Sequence, residues 1–144
     1  SRIHNILENR KRLQSKFQSL NYFEKIDVDL GSPDEKLLKK LINFLEQNIE
    51  DPALTVDTIS KEIGLSRVHL FRKMKAIAGM SPSAFIKDFR MKKAKAIILK
   101  NPSASVSEVA YSVGFQDVKY FSKCFKKHFG KSPTKIRNAI DQKV

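Results

Sequence analysis

Along most of this chain apolar residues recur three and four positions apart, the spacing that gathers them on one face of an α-helix. The clearest stretch is 105–133. Val106, Val109, Ala110 and Val113 predict a short helix, and Phe121, Phe125 and Phe129 a second. Ser105 with Glu108 three residues on forms a capping box, in which each side chain satisfies a free backbone N–H at a helix start. Gly114 ends the first helix, because glycine enters the left-handed C-cap conformation without steric cost. Asp117 caps the second. Its outer face carries Lys119, Tyr120, Ser122, Lys123, Lys126 and Lys127. A capped helix, a glycine turn and a second helix with a basic outer face have the shape of a helix-turn-helix that docks on DNA.

The stretch occurs twice. Thr55–Gly64 pairs with Ser105–Gly114 at an offset of 50. The second turn is one residue longer, so from Ser66 the offset is 51. Leu70 then pairs with Phe121, Met74 with Phe125, Gly79 with Gly130, and Ser81-Pro82 with Ser132-Pro133. Two units with the same punctuation predict an internal duplication.

The remaining pattern is also helical. Residues 1–20 carry a sparse stripe of Ile3, Ile6, Leu7, Leu13, Phe17 and Leu20, opposite Arg10-Lys11-Arg12, a run that reads as a solvated face or a DNA contact. Residues 21–31 have no helical period and read as a linker. Ser32-Pro33-Asp34-Glu35 is a helix start. Leu37, Leu38, Leu41, Ile42, Leu45 and Ile49 follow on one face, which predicts a helix that buttresses the first unit. In that unit Ile59 and Ile63 face inward from one helix, and Leu70, Met74 and Ile77 from the next. Arg67, Val68, Phe71, Arg72 and Lys75 are left outside. An exposed Val and Phe suit contacts with thymine methyls or sugar edges in a groove, or Phe71 packs on a neighbouring helix. From about Pro82 to Lys100 a long helix packs through Phe85, Ile86, Phe89, Ala94, Ile97 and Ile98. At 1.5 Å per residue it is roughly 27 Å long, which would set two recognition helices near one turn of B-DNA apart, about 34 Å. A last short helix carries Ile136 and Ile140, with Lys135 and Arg137 exposed.

The predicted fold class is thus all-α. Residues 1–31 form a linker or signalling helix. Residues 32–144 form one domain of two helix-turn-helix subdomains, about 55–80 and 105–131, joined by the connecting helix over about 82–100.

Charge changes the picture. Residues 1–30 hold 6 basic and 4 acidic side chains, net +2; residues 31–53 hold 3 and 5, net −2; residues 54–144 hold 19 and 6, net +13. The whole excess lies in the repeat region. Lysine-rich helices are often merely soluble, but such uneven placement suits a phosphate backbone and predicts affinity that falls steeply with salt.

Other chemistry finds little footing. The single Cys, Cys124, precludes a disulfide framework and reads as a small half-buried packing residue. His4, His69 and His128 fall in three elements without a partnered Cys or acid at ligand spacing, so no metal, cofactor or catalytic residue is expected. There is no Gly-rich phosphate loop and no nucleophile elbow. A helix-turn-helix pair offers no aromatic sheet for stacking RNA bases. The competing reading is a protein-interaction module with a basic helical surface.

The pattern Gly114-Phe115-Gln116-Asp117-Val118-Lys119-Tyr120-Phe121-Ser122-Lys123, then Phe125-Lys126-Lys127, Gly130 and Ser132-Pro133, resembles the signature of the AraC/XylS family of bacterial transcription regulators. Residues 37–140 follow it, except that Ile136 stands where the family often has Tyr. The resemblance implies a bipartite all-helical DNA-binding domain whose third and sixth helices enter the major groove. Carried over by position, Val68, His69, Phe71 and Arg72 face bases or sugars in the first unit, and Lys119, Tyr120, Ser122 and Lys123 in the second. Ser81, Arg90 and Ser132 fall near backbone phosphates, although Ser-Pro at a helix start is equally a plain cap. Arg67, Lys75, Lys126 and Lys127 complete the expected phosphate-facing set. The segment Arg2–Arg10 with Leu13, Gln14, Lys16 and Phe17 resembles the junction of Bacteroides-type hybrid two-component proteins. That implies a cytoplasmic C-terminal output domain behind a receiver domain of a longer chain, with any membrane anchor in segments outside this sequence. The expected partners are double-stranded DNA, RNA polymerase and that receiver domain. A homodimer is expected of the longer chain, and a monomer or weak dimer of this fragment.

Overall fold

The computed structural model describes residues 33–141. The helix expected over 1–20, the linker over 21–31 and the Ser32 cap lie outside the described residues. Among those described there are seven α-helices and no strand: α1 (Pro33–Asn48), α2 (Val56–Ile63), α3 (Arg67–Ala78), α4 (Pro82–Lys100), α5 (Val106–Ser112), α6 (Val118–Phe129) and α7 (Pro133–Asp141).

The helix ends are set by residues read directly from the sequence. Thr55 Oγ1 accepts from the Thr58 N–H while Thr58 Oγ1 accepts from the Thr55 N–H at 2.8 Å, a complete capping box. Ser66 Oγ accepts from the His69 N–H at 3.1 Å, and Asp117 Oδ1 from the Tyr120 N–H at 3.2 Å. Of the box expected at Ser105, the structure shows the half in which Ser105 Oγ accepts from the Glu108 N–H, at 3.1 Å.

The chain divides into two compact units. The first takes the described residues up to Glu46 together with Thr55–Phe85. Here Leu41, Ile59, Leu70, Met74, Pro82 and Phe85 converge and leave no room for a water molecule. Burial of each large apolar side chain contributes at most about 1.5–3 kcal/mol. Leu41 brings α1 into this cluster, as expected of a buttress. Lys73 Nζ adds a 3.1 Å ion pair to Asp34 Oδ1 at the start of α1.

The second unit takes Gln47–Leu54 and the chain from Ile86 onward. Its core includes Ile86, Phe89, Met91, Ala94, Ile98, Val109, Ala110, Val113, Phe121 and Phe125. An aromatic ladder runs Phe115–Phe121–Phe125–Phe129 with ring centroids 5.3, 5.8 and 4.7 Å apart, and holds α6 by its inner face. Lys95 Nζ lies 5.0 Å from the last ring. Cys124 is buried rather than half-buried, because it shares this inner face.

The connecting helix α4 supplies its first turn to one unit and the remainder to the other. Buried positions from Phe85 to Ile98 run most of the way around it, the pattern of a helix enclosed by its neighbours. Arg137 on α7 departs from its expected exposure. It is half-buried and its Nη1 donates to the Ala104 carbonyl at 3.3 Å.

Candidate nucleic-acid interface

In the first unit, the α3 residues that do not pack inward form one outer surface. Arg67, Val68, His69, Phe71, Arg72 and Lys75 are all exposed. Val68 is 63% exposed and Phe71 48%, so Phe71 does not bury itself on a neighbouring helix. Lys75 Nζ stands 6.0 Å from the Phe71 ring centroid. Arg67 Nε makes a 2.7 Å ion pair with Asp57 Oδ1 on α2. Both partners are well exposed, so the pair itself is worth little in stability.

In the second unit, Lys119, Tyr120, Lys123, Lys126 and Lys127 on α6 are exposed and Ser122 is half-buried. Tyr120 is 56% exposed, with its ring 6.0 Å from Phe115. Among the described residues no acidic side chain lies within ion-pair distance of these four lysines. Asp88, on α4, is occupied: Oδ1 lies 2.9 Å from His128 Nε2 and Oδ2 lies 3.0 Å from Lys92 Nζ. The lysines on the outer face of α6 thus present positive charge with no ion-pair partner among the described residues.

Two of the expected phosphate contacts are helix caps here. Ser81 Oγ accepts from the Ala84 N–H at 3.3 Å, and Ser132 Oγ from the Lys135 N–H at 3.2 Å.

Arg90 corrects the expected site. It is 7% exposed and does not face a phosphate. Its Nη1 donates to the carbonyls of Ile49, at 2.9 Å, and Val113, and its Nη2 to the carbonyl of Asp51 at 3.2 Å. Burial pushes its guanidinium below the ordinary arginine value, and the nearby Asp51 charge opposes that shift. The guanidinium thus ties the segment after α1 to the end of α5, at the turn before α6. Gly114, next along, has φ +86°. A Cβ there would strike the Arg90 guanidinium and the Ile49 carbonyl, so the turn needs glycine for conformation and for space. One signal pointed this way. Arg90 sits four residues from Ile86 and from Ala94, both of which pack, so its position lies on a buried face.

No group of three His, Cys, Asp or Glu among the described residues could hold a metal ion. No helix of the described residues is long and apolar enough to cross a membrane.

These features fit a DNA-docking module, and comparison with known proteins agrees. A helix-turn-helix domain family model matches residues 59–139, more than half of the chain. A solved transcriptional regulator from Chromobacterium violaceum, described as an AraC-type DNA-binding domain protein, superposes with a TM-score of 0.65 at 30% identity. The match covers 72% of this chain and 91% of that one. The C-terminal domain of the two-component response regulator yesN from Fusobacterium nucleatum superposes with a TM-score of 0.65 at 29% identity, covering 71% and 98%. The histidine kinase P4 of Formosa agariphila is 40% identical over 141 residues, 98% of this chain and 10% of that protein. The chain spans between a tenth and about a third of the curated relatives it matches. The chain belongs to the AraC-type helix-turn-helix family, and it is a sequence-specific DNA-binding module.

Proposed function

We propose that α3 and α6 enter successive major-groove segments of one duplex. Val68, His69, Phe71 and Arg72 then face bases in one segment, and Lys119, Tyr120, Ser122 and Lys123 in the other. Arg67, Lys75, Lys126 and Lys127 grip phosphates, aided by the first-turn N–H groups behind Ser81 and Ser132. Arg90 leaves this set and holds the second turn in place. The observation that carries the reading is the repetition. Two helices, each started by a cap on its third N–H, expose their outer positions at a constant offset of 51.

The chain acts as the output module of a two-component protein, in the cytoplasm, with residues 32–144 as its DNA-binding domain. Residues 1–31 link it to an upstream receiver domain, through which the longer protein dimerises and receives phosphorylation. RNA polymerase is its downstream partner, and this segment carries no catalysis of its own. The match to a segment of a histidine kinase and the likeness to a response regulator's C-terminal domain support this placement.

Selection of bound duplexes from a random pool at near-physiological salt, followed by a salt titration, tests the groove reading. The expected result is enrichment of two short blocks about one helical turn apart, about 10 base pairs, with affinity falling steeply in salt. Steep salt dependence with no enriched block would reduce the surface to a phosphate grip. No duplex binding at low salt would favour a protein-interaction surface instead.

A further inference from the structure

At the offset of 51 the outer positions of the two recognition helices differ in kind. Val68 stands where α6 has Lys119, and Phe71 where it has Ser122. The neighbouring cations are kept, with Arg72 opposite Lys123 and Lys75 opposite Lys126. Ser66 and Asp117 cap their helices through the same third N–H, so paired positions project alike from their own turns. Val68 and Phe71 are three residues apart and share a face. They lie in the first half of α3, the part of a recognition helix that meets base edges. Both remain open to water, which is unfavourable without a partner.

Resting on the groove reading above, we infer that α3 selects thymine through its C5-methyl groups, received by Val68 and Phe71. The equivalent positions of α6 do not. In the major groove thymine alone among the four bases offers an apolar group. Val and Phe carry no donor or acceptor, so no other base edge gives them a distinguishing contact. Sugar edges would accept the same side chains but carry no sequence information. The flanking Arg72 and Lys75 supply the charge that keeps an apolar patch seated against a polyanion.

The test begins with the duplex selected by the 144-residue chain. Selection is repeated with the V68A/F71A double variant, its helicity checked by circular dichroism. The block whose preference relaxes belongs to α3. Each thymine there is then replaced by deoxyuridine, which removes only the methyl group and keeps the base pair. Affinity should fall about fourfold per thymine, the worth of one buried methyl. Uracil in the other block should change nothing. The double variant should bind thymine and uracil duplexes alike, while Val68→Thr, which keeps a methyl in the same shape, retains the preference. Absence of thymine from the α3 block, equal affinity for uracil, or equal losses in both blocks would overturn the inference while the two-block site stands. Failure to enrich any block would remove it together with the reading on which it rests.

Discussion

The two helix-turn-helix units share a frame and differ in surface. Thr55 and Ser105, Ser66 and Asp117, and Gly79 and Gly130 stop and start helices at matching places. Outward, the first unit ties Arg67 to Asp57 and Lys73 to Asp34 and leaves an apolar centre. The second leaves four lysines of α6 without an acidic partner among the described residues. Residues that fix φ, ψ and burial are constrained by the fold. Residues between them are free to differ, so the two units present surfaces of different chemistry on one frame.

The largest test of that comparison acts on the frame. Arg90→Met removes the shared donor from the Ile49 and Val113 carbonyls inside the second unit alone. It should destabilise that unit by about 3–5 kcal/mol. Amide hydrogen exchange should show α6 losing protection while α3 keeps it. Equal loss in both would mean that the units unfold as one.

Base reading comes next. Arg72→Ala and Lys123→Ala should each cost about 1–3 kcal/mol on the selected duplex and less on random DNA. Titration of each variant against both duplexes checks this. Equal loss on the two would make them phosphate contacts, which lower the salt slope by about 1.

Caps follow. Thr55→Ala and Ser105→Ala should each destabilise their own unit by about 1 kcal/mol in urea titrations. The two costs should be similar, since each substitution removes one bond to the backbone N–H three residues on, and the Thr55 N–H keeps its bond to Thr58 Oγ1. The smallest effect is electrostatic. Asp57→Asn frees Arg67 and should tighten duplex binding by up to about threefold at low salt. The gain should vanish at high salt, where exposed charges are screened.

Much of this frame was legible in the sequence. Caps, glycines and the three-and-four spacing are local signals, and they placed α2 to α7 within a residue or so. The outer residues of α3 and α6 followed by subtraction, once Leu70, Met74, Phe121 and Phe125 were assigned inward. Arg90 escapes these signals because its partners are not local. Ile49 and Asp51 lie about 40 residues upstream and Val113 lies 23 downstream. Charge in a lysine-rich helix reads as exposure, and only the buried residues four positions either side spoke against it. Arg137 escapes them for the same reason, since its acceptor at Ala104 is 33 residues away.

The segment from Gln47 to Leu54 belongs to the second unit, although the sequence places it ahead of the first helix-turn-helix. The boundary of the duplication and the boundary of the folded unit therefore do not coincide. A truncation beginning at Ser81 would contain every residue of the second repeat and still lack two of the three carbonyls that hold Arg90. The second half cannot be excised, swapped between regulators or shuffled as a cassette by a single cut. To transplant it, an engineer would have to carry an eight-residue strap from the far side of the first repeat.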